Sequence, residues 1–243
     1  CLLVFLVSLS LFARGGKETV TVEEKINVIT MAIPVDPDGL DPMLTAAAST
    51  FQITSNIYET LITVDEKGNL EPCLADSWSI SEDGLSISFN LRENAAFSNG
   101  KKCGSEEVKE SIIRLMSPET LRCKDSSFIS EIETPDEKTI VFKMNEINVA
   151  ALSSFAYPWA AVVDTEESNL KNKPMGTGPY CLSSWVPQEK LVLALNPYYG
   201  KEVKNDGFVL VVMPDLTAEI TALEAGEVDV ILITGDLASA VEN

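Results

Sequence analysis

Two nearly continuous apolar runs near the end of the chain constrain its fold most: Phe208 to Met213 reads FVLVVM and Val228 to Ile233 reads VDVILI. Runs rich in β-branched residues and lacking alternation suit strands buried on both faces, as in parallel sheets. Between them Pro214-Asp215 opens a helical pattern that continues to Glu224 with Ile220 and Leu223 inward, and Gly226 ends it. Strand, helix and strand in this order predict a parallel pair with a right-handed crossover. Lys25 to Ile33 (KINVITMAI) predicts an earlier strand, and Tyr180 to Val186 and Leu191 to Leu195 predict two more. If the first strand and the last three share one sheet, ligands belong beyond the carboxyl ends of its strands. Those ends are the loops from Pro34 to Ser49 and from Thr234 to Asp236, which open on one rim if their strands run parallel.

The middle of the chain has a different grain. Short strand signals alternate with turns at Lys67-Gly68-Asn69, Asp83-Gly84 and Asn99-Gly100. Leu85 to Leu91 (LSISFNL) alternates cleanly, with Leu85, Ile87, Phe89 and Leu91 on one face, and Lys138 to Met144 (KTIVFKM) follows the Pro135-Asp136 turn. Ser105 is read as the cap of a helix carrying Val108, Ile112, Leu115 and Met116 on one stripe and ending before Pro118. Thr50 to Leu61 predicts another helix, capped by Ser49 or Thr50, whose aromatic residues read as packing. The expected organisation is therefore α/β together with α+β: a first lobe from residues 26–64 and 166–243, interrupted by a mostly antiparallel α+β insert at 65–165.

Charge and residue usage exclude whole classes of function. With 37 acidic against 18 basic residues the formal charge is −19, and nucleic-acid binding, which needs a cationic surface, is not expected. The chain contains no histidine, which removes Ser-His-Asp and Cys-His catalysis and histidine zinc sites. Five cysteines at 1, 73, 103, 123 and 181 form no CxxC pair and read as isolated core thiols. Leu2 to Ala13 is an apolar run too short to span a bilayer and suited to the core of a leader, so residues 1–14 are read as a residual signal peptide. Residues 15–25 are read as a polar tether. The expected location is outside the cytoplasmic membrane: exported and soluble, with surface anchoring as the alternative.

Several ordered motifs then resemble one family. These are Asp36-Pro37-x-x-Leu40-Asp41-Pro42, Ile57-Tyr58-Glu59-x-Leu61, Gly68-x-Leu70-x-Pro72-x-Leu74-Ala75-x-Ser77-Trp78 and Asp83-Gly84 followed by Phe89-x-Leu91-Arg92. Gly176-Thr177-Gly178-Pro179-Tyr180, Trp185, Asn196-Pro197-x-Tyr199 and Ala225-Gly226-Glu227-x-Asp229 continue the series. Together they resemble the family 5 extracellular solute-binding proteins, the dipeptide-, oligopeptide- and nickel-binding components of ABC importers. The resemblance implies a periplasmic-binding-protein-like lobe of the type II, cluster C-like kind. It also implies a peptide or similar small solute as ligand and, as partners, an ABC permease and its ATPase subunits. Membrane contact would come only through the permease or an anchor. Family members are about twice as long, so the chain is expected to be an N-terminal fragment whose second ligand-binding lobe is missing. At Arg14 it carries arginine where the resembled lipoprotein box has its lipid-accepting cysteine.

The expected cleft wall is Thr45, Ala46, Ala47 and Ala48, a small uncharged loop able to present main-chain groups, with Ile233 and Thr234 opposite. No catalytic residue, metal ligand or cofactor is expected. Other prominent residues have simpler readings: Trp78 and Phe89 as core, Gly176 to Tyr180 as a tight turn, and Asp36 and Asp38 as loop residues rather than a calcium series. Arg92 and Arg114 are read as surface ion pairs, and Glu227 and Asp229 as capping or solvated. The competing functions are an exported carboxylate-dependent hydrolase and a surface scaffold or adhesin.

Overall fold

The computed structural model describes residues 27–232. The expected leader and tether, the beginning of the first strand, and Ile233 and Thr234 lie outside the described residues. Strand β1 (Val28–Ile33) leads through the proline-rich loop into α1 (Ala48–Thr54), and β2 (Ile62–Val64) and β3 (Leu70–Pro72) form a small hairpin. Then come β4 (Ala75–Ile80), β5 (Ser86–Leu91), α2 (Ser105–Met116), β6 (Ile129–Glu133), β7 (Thr139–Met144) and the short α3 (Ala151–Ser154). Finally β8 (Tyr180–Val186), β9 (Lys190–Leu195), β10 (Gly207–Val212) and α4 (Leu216–Glu224) complete the described chain.

The middle sheet has the order β4-β5-β7-β6 and is antiparallel throughout. Its alternation is that of a half-buried sheet. Ile87, Phe89 and Leu91 of β5 and Ile140, Phe142 and Met144 of β7 point into the core, while Ser88, Asn90 and Lys143 point out. Leu85, expected on the same inward face, precedes the strand and is exposed, while its backbone carbonyl accepts from the Met144 N–H. Helix α2 covers the inner face with Val108, Ile112 and Leu115, and Phe155 packs edgewise on Phe89 and closely on Phe142. Gly104, not Ser105, occupies the N-cap, and its N–H is satisfied by the Glu107 carboxylate at 2.9 Å. Ser105 is the first helical residue, and its hydroxyl donates to the Asp136 carbonyl.

The second sheet has the order β1-β10-β9-β8, with β1 parallel to β10 and the other pairs antiparallel. The expected strand-helix-strand unit is present with one correction. The segment around Val230 does not pair with β10; it bridges Met31 in parallel on the opposite side of β1. Ala32 donates to the Val230 carbonyl and Asp229 to the Thr30 carbonyl, so β1 is flanked on both sides by the end of the chain. Nor is β10 buried on both faces: only Gly207 and Leu210 are fully buried, and the rest of the strand is half-exposed. Helix α4 covers one face, where Ala222 packs with Ala32 and Val228 and Leu223 packs half-buried against them. The expected inward Leu223 is thus met, while Glu219 and Ala222, not Ile220, are the fully buried residues. Asp215 caps α4 by accepting from the Ala218 N–H at 2.8 Å.

Candidate functional site

The loop that follows β1 is held by its own carboxylates. Asp36 accepts from the Trp185 indole N–H at 3.0 Å and from Gln188, which ties the loop to β8 and its turn. Asp38 accepts from the hydroxyls of Thr45 at 2.9 Å and Thr50 at 3.0 Å. Asp41 is buried and takes both terminal nitrogens of Arg114, together with the Met43 N–H. Tyr58 donates its hydroxyl to the Leu40 carbonyl at 3.1 Å, and burial pushes its phenol well above the ordinary value of 10.0. All three aspartates of the motif thus act as fasteners, which is why the spacing Asp-x-Asp-x-x-Asp contains no ion-binding series.

The fastened loop presents the predicted residues unequally. Thr45 is buried and its hydroxyl is used twice, donating to Asp38 and accepting from the Ala47 N–H at 3.1 Å. Ala46 and Ala48 are exposed and Ala47 is half-buried, so the short side chains leave main chain accessible at the rim. Helix α1 starts at Ala48, with Ala47 as an N-cap that has no side-chain bond. The helix ends at Thr54, well short of Leu61, because Ile57 and Tyr58 turn away to receive the Gly176 to Tyr180 segment. That segment reads as a close approach: a Cβ on Gly176 would lie 2.2 Å from the Ile57 carbonyl oxygen, and Gly178 donates to the same oxygen at 2.9 Å.

Two surfaces flank α1. On one side Ser49, Gln52, Ile53 and Asn56 line a depression of about 500 Å³ whose floor is Met31, Ile33, Leu193, Phe208, Leu210 and Leu232 on the sheet face opposite α4. On the other side Phe51 meets Trp159, which stacks on Tyr157. Sequence reasoning missed this second surface, because each ring alone reads as packing. The available signal was Tyr157-Pro158-Trp159, two aromatics held about a proline in a short turn.

The two arginines are not surface pairs. Arg92 and Glu59 are both buried and joined at 2.5 Å, with Lys201 at 3.6 Å from the same carboxylate and Tyr199 beside both cations. The Arg114 partner Asp41 is likewise buried. Glu59 also faces the Cys73 thiol, which burial pushes up to about 11. Asp229 caps the edge of β1 by accepting from the Thr30 N–H at 2.8 Å. Among the described residues no group of three or more Cys, Asp or Glu side chains is arranged to hold a metal ion.

A lobe with a strand-end rim, a fixed small-residue loop and an antiparallel sheet inserted between its first and later strands is the architecture of a periplasmic binding protein. A sequence profile for the bacterial extracellular solute-binding proteins, family 5, matches residues 69–242, and the chain belongs to that family. It is 28% identical over 224 residues to an Escherichia coli protein named as a probable D,D-dipeptide-binding periplasmic protein, across 84% of this chain and 43% of that protein. It is 26% identical over 229 residues to di/tripeptide-binding protein 1 of Pseudomonas aeruginosa, across 81% and 43%. Among solved structures it resembles the Helicobacter pylori periplasmic binding protein DppA in complex with the peptide STSA. The TM-score there is 0.79 at 27% identity, over 88% of this chain and 48% of that one. The chain thus spans less than half the length of these relatives.

Proposed function

We propose that the chain is the first lobe of the substrate-binding component of an ABC importer, capturing short peptides or a related small solute outside the cytoplasmic membrane. The reading is carried by the fastened loop at the carboxyl end of β1, where Ala46, Ala47 and Ala48 offer main-chain groups to a ligand and few side chains to discriminate against one. In this reading Thr45 positions the loop, and Ile233 and Thr234 are assigned to the same wall. On the same reading residues 26–64 and 166–243 form the lobe and 65–165 the insert; the two four-stranded sheets fall on either side of that division, while the β2-β3 hairpin straddles it. The names of the relatives support peptide as the ligand class, and one relative is a nickel-binding periplasmic protein. A second lobe would close over the ligand, because ligand binds the closed form better and shifts the population toward it. The protein makes and breaks no bond; the loaded form docks on a permease whose ATPase subunits supply the energy. No helix among the described residues is long and apolar enough to cross a membrane. Thermal melts with dipeptides, tripeptides, nickel and sugars test the reading. A concentration-dependent rise with peptides, reduced by Asp38→Ala, is expected; no rise with any solute overturns it.

A further inference from the structure

The side of α1 turned away from the apolar depression carries an unusual surface. The Phe51 ring lies 6.0 Å from Trp159, and Trp159 stacks on Tyr157 at 4.6 Å with only 15° between the planes. The Arg122 guanidinium sits 4.6 Å over the same Trp159 ring. Phe51 donates its backbone N–H to Ala47, so this shelf of four planar groups begins one helical turn from the fastened loop. Leu121, which precedes Arg122, donates its N–H to the Met43 carbonyl and so ties this segment to the loop before α1.

Packing alone does not account for the shelf. Tyr157 is 46% exposed, although aromatic rings gain most when they are removed from water. The polar ends of the shelf are also unspent. Among the described residues neither the Arg122 guanidinium, nor the Trp159 indole N–H, nor the Tyr157 hydroxyl makes a hydrogen bond, and the ionic neighbour of Arg122, Asp125, stands 3.9 Å away. In a chain of charge −19 a guanidinium has carboxylates in abundance to pair with, yet this one lies over the Trp159 ring and has only the long Asp125 contact at 3.9 Å. A guanidinium matches a carboxylate in two-pronged fashion, whereas a cationic side chain placed on the shelf would meet Arg122 and be repelled.

We propose that this shelf is the specificity surface of the lobe and selects solutes that join a flat aromatic side chain to a carboxylate, such as short peptides ending in an aromatic residue. The inference rests on the solute-capture reading and names the substrate class. The ring packs on the exposed Tyr157 end of the stacked pair, and the carboxylate takes the guanidinium of Arg122, for which Asp125 at 3.9 Å is a distant competitor.

Trp159 itself serves as the reporter. The chain is titrated with Gly-Phe, Gly-Phe amide, Gly-Ala and Gly-Lys, following tryptophan fluorescence and, independently, calorimetry. Gly-Phe is expected to bind about tenfold more tightly than its amide and than Gly-Ala, since one charge-assisted hydrogen-bonded pair and one aromatic contact are each at stake. Arg122→Met should abolish the difference between acid and amide while keeping the preference for Phe over Ala. Tyr157→Ala should do the reverse, and both positions are exposed enough for the fold to survive. Saturable binding of all four peptides with equal affinity, unchanged in both variants, overturns the shelf and leaves solute capture standing. Binding of none of them, in a chain whose melt is cooperative, overturns both.

Discussion

Arg92 and Glu59 illustrate what a buried charge demands of its neighbours. Arg92→Ala would leave the Glu59 carboxylate inside the protein with only Lys201, 3.6 Å away and half in water, to answer it. Removing one member of such a pair costs about 3–5 kcal/mol, to be read as a lower urea midpoint at unchanged slope. Lys138→Ala, which breaks an exposed pair with Glu93, should leave the midpoint where it is. Steric demand is equally local at Gly178, where a Cβ would stand 2.7 Å from the Ile57 carbonyl carbon. Gly178→Ala should cost about 1–3 kcal/mol by the same measurement, because the obstacle is backbone and cannot swing aside.

Helix α1 and its leading loop are coupled through Asp38, which accepts from Thr45 before the helix and Thr50 within it. Asp38→Ala should cost about 1–2 kcal/mol of global stability, two hydrogen bonds at their usual net worth. It should accelerate amide hydrogen exchange at Ala46, Ala47 and Ala48 far more than in α2; equal acceleration in both would show that Asp38 is not a local fastener. Elements of this kind were only partly legible in the sequence. Ile87, Phe89 and Leu91 announced β5 because a half-buried strand writes its period into hydropathy, and Tyr180 to Val186 was placed to the residue. The order of strands was not legible: apolar runs state that a strand is covered but not by which neighbour, so β10 and the Val230 segment were paired with each other rather than with β1. The loop proposed as the site was picked by the strand-end rule. Its aspartate fasteners and the Phe51, Tyr157 and Trp159 shelf did not, since both depend on residues brought together only by the fold.

For the whole molecule, pH sets two boundaries. Asp65, Asp83 and Asp136 lie in turns where the Asn69 side chain, the Ser81 hydroxyl and the Lys138 N–H respectively hold their carboxyls below the ordinary 3.8. A depressed carboxylate contributes fully above its unfolded value, and the contribution is lost as pH falls through the lower folded value. Burial moves the Cys73 thiol from 9.0 to about 11 and raises Cys103 as well. A raised group contributes fully below its unfolded value and loses that contribution as pH climbs from there to the folded value. Melting temperature should therefore fall away below about pH 4 and above about pH 9, and Cys103→Ala should flatten the alkaline limb. An alkaline limb identical in the variant would contradict this. The apolar depression on the sheet face, floored by Phe208, Leu210 and Leu232, should bind a hydrophobic dye in the folded chain, with fluorescence suppressed by Phe208→Ser; a folded chain that leaves the dye dark refutes an open apolar face. The place of β1 between β10 and the Val230 segment carries a consequence for the order of assembly. The Thr30 N–H finds its carboxylate partner 199 residues later, and among the described residues both strand neighbours of β1 are synthesised long after it. The β4-β5-β7-β6 sheet closes through short hairpins and α2 and can form while the ribosome is still extending the chain. Strand β1 is thus seated later than that sheet, and the loop it leads into takes its place only once the chain has returned to flank it.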